Sequence, residues 1–447
     1  MPLDDLAEYN LHLLSGCVIQ QPMTDKQWPA NRTSATAVFD LFSPAFKRNP
    51  FTTFARMRQN APIYAHVSPG GATTWYITRY EEVLAVLKDN DHFVKDVRNT
   101  KEHQPVTSAH PPLSQLINQN MLFADPPNHT RLRALVNQAF TPRRVEQTAP
   151  RIQTAANELL DRVAARGQME LIADYALPLP LVVICEMLGI PAADQPDVAD
   201  WSQAIISPSG RGLGRRARNQ KMRALVDYFE RMFAERRQRP QDDLVTALVQ
   251  ARMEAGDWLS EAELSSMVAL LLVTGYETTV NLIGNGVLAL LQNPAQLAWL
   301  RENKAEWGTA VWQTAVEELL RYDGPVETST TRWVRADFIF QGHFMRRGDV
   351  VRVSLASANR DAGQFTNPDE LDVTRTDNKH LAFGHGIHYC LGAPLARLEG
   401  QIGLQTLFNR FPHIRLAVPL EELVWRPGVL FRGLARLPLV GVADESR

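Results

Sequence analysis

Apolar and polar residues alternate along the chain in two rhythms. APIYAHV and TTWYITRY, within 61–80, gather β-forming residues on either side of SPGG, which predicts a hairpin. A helical period then takes over. HTRLRALVNQAF, RIQTAANELLDRVAARG, QKMRALVDYFERMFAERRQ and WQTAVEELLRY carry apolar residues at i, i+3 and i+4 with charges between them. Ser260 and Glu263 have the spacing of a capping box, and Pro294 stops the helix they begin. A second β-rich region is expected between Thr328 and Val373, with strands near TTRWV, DFIFQG and DVVRVSLAS, before helix resumes at Ala393. No repeat, low-complexity tract or Gly/Ser linker divides the chain. The expectation is a mainly α fold with small β-sheets (α+β), one large domain over 46–447 behind an N-terminal extension over 1–45.

Met267–Leu291 is long and apolar enough to raise the question of a membrane span. It also contains Glu277, Asn281, Asn285, three threonines and three glycines, and a carboxylate inside a bilayer is costly. It is therefore read as the central helix of a large protein, with no membrane partner. The N-terminal MPLDDLAEYNLHLLSG has acidic residues where a signal peptide carries basic ones. Cys17, Cys185 and Cys390 are odd in number and lack CxxC spacing, so a cytoplasmic location without disulfides is expected, and Cys185, in an apolar run, reads as a buried inert thiol. The 47 basic and 49 acidic residues nearly cancel, which leaves no general electrostatic reason to expect nucleic acid and favours small-molecule chemistry.

FGHGIHYCLGAPLARLE (383–399) surrounds Cys390 with glycines and turns at once into a helix. A thiolate gains from the free N–H groups and dipole of a helix N-terminus, and Pro394 suits the first helical turn. Gly384, Gly386 and Gly392 let the backbone pass close to something flat or adopt positive φ. A buried cysteine in a glycine-rich turn accounts for the same residues. So, less well, does a zinc set of His385, His388 and Cys390, whose spacing is tight.

The spacing Phe383-x-x-Gly386-x-x-x-Cys390-x-Gly392 resembles the haem-binding signature of the cytochrome P450 family, and the chain from Pro50 to Pro438 is similar to its soluble bacterial branch. The resemblance implies the cytochrome P450 fold and haem b (iron protoporphyrin IX), with Cys390 as axial ligand to the iron and Phe383 packed beside its sulfur. Thr274 and Thr278, in LLVTGYETTVN, lie four apart on one helix face, where threonines beside Gly275 can bond back to i−4 carbonyls and open the helix. By resemblance, Glu277 and Thr278 are the acid–alcohol pair that delivers protons for oxygen activation, a pair that peroxide-using relatives generally lack. Glu318 and Arg321 match the ExxR pair, completed by Arg360, as a structural triad. His129 and Arg133, four apart on a helix, with Arg332 and His388, match the cations that hold the haem propionates. The substrate pocket implied is lined by the loop before Met121, Leu122 and Phe123, with Met121 and Leu122 themselves, by Leu271 and Thr274, by Val326 to Thr330 and by Val429 to Phe431, including Leu430.

The basic run Arg211 to Arg223 is either a solvated helix face or a contact for a substrate carboxylate. Departures from the family pattern are Thr274 in place of Ala or Gly, Tyr276 where His is frequent, and His388 where Arg is more frequent. The implied activity is that of a haem-thiolate monooxygenase acting as a monomer. It inserts one oxygen atom from O2 into a lipophilic small molecule, by hydroxylation or epoxidation. No flavin or nicotinamide fingerprint and no ferredoxin-type cysteine set is present, so electrons must come from a separate ferredoxin or flavodoxin with its reductase. A peroxide-driven haem enzyme and a non-catalytic ligand-binding module of the same fold stay open as alternatives.

Overall fold

A computed structural model describes residues 39–68, 70–100, 118–206, 214–254, 256–303 and 310–442. Of the expected extension over 1–45, residues 1–38 lie outside this range, as does Cys17. The folded body reaches further forward than residue 46. Phe39 and Leu41 are buried with Phe46, Phe54, Tyr64 and Tyr76, and a short helix, α1 (Pro44–Arg48), begins on a Ser43 side-chain cap.

The expected hairpin forms from β1 (Ile63–Val67) and β2 (Thr73–Ile77), with Tyr64 opposite Tyr76. It is the edge of a sheet that unites early and late chain. After β3 (Phe93–Val94), the sheet is completed by β5 (Arg332–Val334) and β8 (Val350–Val353) in the order β1-β2-β8-β5-β3. Only β2 and β8 run parallel, with Trp75 opposite Val351. The intervening segment makes a small hairpin of β6 (Phe338–Phe340) and β7 (His343–Met345). DVVRVSLAS is strand only to Val353; Leu355–Ala358 turns into a short helix, in which the Ser354 and Leu355 carbonyls accept from Ala358 and Asn359 while the Ser354 and Ala356 N–H groups donate to the Ile77 and Glu327 carbonyls. A further sheet of β4 (Gly167–Glu170), β9 (Arg415–Leu416) and β10 (Pro438–Val442) was not legible, since two of these strands are short and carry little apolar alternation.

The helical body includes α2 (Asn128–Ala139), α3 (Gln195–Ile206), α4 (Glu261–Gln292), α5 (Ala310–Asp323) and α6 (Ala393–Arg410). The capping box at Ser260 and Glu263 opens α4, and the helix ends before Pro294. Helix α4 is apolar nearly all round because it is the central element, packed by Pro178–Leu188, α5 and α6. By length and composition it could cross a bilayer, yet 78% of its most apolar window is buried within the protein. Gly275 permits one of its close approaches: a Cβ there would lie 2.8 Å from the Ile184 side chain.

Candidate functional site

A cavity lies between α4 on one side and the 383–396 segment on the other, and most of the sequence-derived candidates meet there. Cys390, Phe383, Gly392, His129, Arg133, Arg332, His388, Thr274 and Thr278 line it, as do Met121, Leu122, Leu271, Val326 and Leu430.

Local sequence fixes the thiol. The Cys390 N–H donates to the Phe383 carbonyl at 3.0 Å, closing a loop in which Gly384 and Gly386 adopt φ of 70° and 74°. Gly386 is required on a second count, since a Cβ would sit 2.6 Å from the Leu87 carbonyl oxygen. Gly392 has ordinary φ, and its role is different: its N–H and that of Ala393, at the start of α6, point at the Cys390 sulfur. Burial away from bulk solvent pushes the thiol up, although it opens onto the cavity; the two N–H groups, Arg133 and Arg397 pull it back. The N–H groups at the helix start act in the direction the sequence suggested, but burial outweighs them. Cys185, by contrast, is buried in the core and pushed up to about 12. The zinc set does not form: among the described residues no three His, Cys, Asp or Glu side chains gather as metal ligands.

One wall of the cavity is strongly cationic. The His129 and His388 rings meet edge to face at 4.3 Å, and both are held below the usual imidazole range, His388 far below, by burial first and then by neighbouring cations. Both ring nitrogens of His129 and Nε2 of His388 are buried without a hydrogen-bond partner. Arg133 donates to the Tyr389 carbonyl at 2.9 Å, and Arg332 reaches Ser329 Oγ at 3.4 Å. Lys95, which the sequence reading missed, joins them: it lines the cavity while donating to the Thr330 and Thr331 carbonyls at 3.0 and 3.1 Å. Its backbone N–H is held by Asp125 at 2.7 Å. The sign of this wall and its orphaned imidazole nitrogens fit a cofactor with two carboxylates, and the thiol below α4 fits an iron ligand.

On the opposite side, the Thr274 hydroxyl donates to the Leu270 carbonyl at 2.7 Å and the Thr278 hydroxyl to the Thr274 carbonyl at 3.1 Å. These are the anticipated i−4 bonds, but α4 stays continuous through them. Glu277 lies on another face of α4 from Thr274 and Thr278. It is not among the described residues lining the cavity, and its carboxylate pairs with Arg426. Burial raises it above the usual carboxylate range and Arg426 opposes the rise. Tyr276 also turns away, toward α3, where its hydroxyl meets Ser202 and Gln203, each at 3.1 Å.

The structural triad needs a correction. Glu318 and Arg321 are fully buried and bidentate, at 2.7 and 2.8 Å, but the third partner is Arg375, whose Nε lies 3.1 Å from Glu318 Oε2. Arg360 instead donates to the Tyr322 carbonyl at 2.9 and 2.7 Å and stacks on the Phe51 and Tyr322 rings. Arg321 also donates to the carbonyls of Asn359, Pro368 and Glu370, so the triad ties α5 to the coil that leads to Cys390. Of the basic run, 211–213 lie outside the described residues; Arg218 is buried and donates to the Ala204 carbonyl at 2.9 Å, and Lys221 pairs with Asp200 at 2.5 Å. Neither lines the cavity.

Comparison with known proteins agrees with this geometry. The family model for cytochrome P450 matches residues 181–419. The polyketide biosynthesis cytochrome P450 PksS of Bacillus subtilis is 42% identical, with 90% of this chain and 98% of that protein covered. Its solved structure superposes with a TM-score of 0.84 over 91% of this chain and 100% of its own. The 6-deoxyerythronolide B hydroxylase of Saccharopolyspora erythraea is 38% identical, over 90% of this chain and 99% of the hydroxylase. P450BioI, solved with an acyl carrier protein bearing hexadec-9Z-enoic acid, superposes with a TM-score of 0.78 at 39% identity, covering 89% of this chain and 99% of that one.

Proposed function

Because the chain belongs to the cytochrome P450 family and is a monooxygenase, we propose that its cavity binds haem b through Cys390 and oxidises a lipophilic small molecule, by hydroxylation or epoxidation, with electrons from a separate ferredoxin or flavodoxin and its reductase. The observation that carries the reading is the convergence of one thiol, a cationic wall and two threonines on a single, otherwise apolar cavity. Cys390 would hold the iron, and His129, Arg133, Arg332 and His388 would hold the carboxylates. When bound, the haem supplies the one-electron and O2 chemistry that side chains lack.

The chain's own residues do the rest. Met121, Leu122, Leu271, Val326 and Leu430 exclude water and orient an apolar substrate. Thr278 presents a hydroxyl at the cavity, and Glu277, adjacent in sequence and joined to the partly exposed Arg426, would serve as the proton source for it. The relatives support a lipophilic substrate, since one is named as a hydroxylase of 6-deoxyerythronolide B and another for vitamin D(3). A cytoplasmic, monomeric protein of one domain is proposed on the same footing.

Turnover under 18O2 with a ferredoxin, its reductase and NADPH is expected to place a single labelled atom in the product of an accepted lipophilic probe. Label arriving only from H2(18)O2, with no product under the reductive system, would favour the peroxide-driven alternative.

A further inference from the structure

Three buried charges and a partly buried fourth lie behind the cavity wall and do not line it; Glu327, expected in the substrate wall within Val326 to Thr330, is a correction to that expectation, since it turns away from the cavity. Lys47, on α1, places Nζ 2.7 Å from Glu327 Oε2 and 2.8 Å from the Phe431 carbonyl oxygen. Its own carbonyl accepts from Arg432 at 2.8 Å, and Arg432 pairs with Asp323 at 2.5 Å while stacking on Trp425 at 3.7 Å. Lys47, Glu327 and Arg432 are each under 7% exposed. Two positive and two negative charges balance, but taking Lys47, Glu327 and Arg432 out of water is costly, and apolar residues of similar volume would often be at least as stable. What such a cluster supplies is a fixed geometry.

The geometry it fixes is that of the substrate wall. The segments carrying Val326 and Leu430–Phe431 run against each other: the Glu327 N–H donates to the Leu430 carbonyl at 2.8 Å, the Arg432 N–H to the Pro325 carbonyl at 2.9 Å, and the Thr328 hydroxyl to the Val429 carbonyl at 2.8 Å. Val326 and Phe431 form an antiparallel bridge between these segments. Val326 and Phe431 line the cavity, while Glu327 and Arg432 turn into the charge cluster. Lys47 touches both strands at once. We propose that Lys47, with Glu327, Asp323 and Arg432, is a positioning device that sets Val326, Leu430 and Phe431 and so determines which lipophilic molecules the cavity accepts, without touching substrate or cofactor. The proposal rests on the reading of the cavity as the haem and substrate site. Burial, which lowers Lys47 and raises Glu327 from their ordinary values, means each depends on the other to stay charged.

The test uses the full chain, haem-loaded, as wild type, Lys47→Met, Glu327→Gln and the double variant Lys47→Met/Glu327→Leu. Imidazole, a compact iron ligand, and 4-phenylimidazole, which carries an added apolar ring, are titrated by their spectral shifts. In the double variant, where no buried charge is left alone, Tm, the carbon monoxide spectrum and the imidazole Kd are expected to hold, while the ratio of the two Kd values shifts by about fivefold or more. A ratio unchanged in every variant, with only Tm falling in the single ones, would make the cluster a scaffold and overturn the proposal. If the double variant does not accumulate, Glu327→Gln carries the same comparison of ratios. A wild-type protein that binds no haem would overturn the reading of the cavity and the proposal together, an outcome distinct from an unchanged ratio.

Discussion

Glu318→Ala is expected to destabilise the protein by about 3–5 kcal/mol and to leave little of it folded with cofactor. The substitution removes the acceptor for both Arg321 and Arg375 and strands two guanidinium groups in the interior. Because Arg321 also holds the carbonyls of Asn359, Pro368 and Glu370, the loss spreads to the segment that presents the thiol. Double-mutant cycles separate the two candidate third members. Glu318→Gln should couple to Arg375→Met by more than about 1 kcal/mol, whereas its coupling to Arg360→Met should stay within about 0.5 kcal/mol, since Arg360 makes no contact with Glu318 and binds Tyr322 instead. Urea melts of the four proteins in each cycle give both numbers. Equal coupling would return Arg360 to the triad.

Thr278→Ala and Glu277→Gln should each lower product formation by roughly 10²-fold, but they should do so differently. Thr278 presents its hydroxyl to the cavity, so its loss removes local control of where a proton arrives. Reductant and oxygen should still be consumed, with hydrogen peroxide released in place of product. Glu277 lies outside the cavity wall, buried beside Arg426, so its loss removes the supply. Oxygen consumption and product should fall together, with an enlarged solvent isotope effect. Parallel oxygen-electrode and product measurements on the two variants distinguish these patterns. Full activity in Glu277→Gln would exclude the carboxylate from proton delivery.

The contrast between these neighbours illustrates what could and could not be read from the chain. Features set by local spacing were legible: the hairpin at 63–77, the capping box of α4, the helix after Cys390, and the shared face of His129 and Arg133, to which the family resemblance added His388. Residues four apart share a helix face, which is why Thr274 and Thr278 were placed correctly. Adjacent residues do not, and a turn of about 100° per residue carries Glu277 toward Arg426, along the stripe that continues through Asn281 and Asn285 to the C-terminal segment. No spacing rule indicates an acid's partner 149 residues away.

Arg375 and Lys95 were missed for a related reason. Each lies in or beside coil, without periodicity, and reads as an ordinary solvated charge until the chain folds it inward. Lys47 is the extreme case. Nothing in SPAFKRNP separates it from Arg48, its neighbour, yet one is buried in the ion cluster and the other is exposed. Long-range charge pairing was the least legible layer because it depends on tertiary packing rather than on local pattern.

The most direct test of the thiolate centre is the absorption spectrum of the dithionite-reduced protein under carbon monoxide. A strongly red-shifted Soret band is expected for wild type, and Cys390→Ala should abolish it while Cys185→Ala leaves it intact. An iron-free wild-type protein, or a band that Cys390→Ala does not move, would contradict the assignment of Cys390 as the iron ligand.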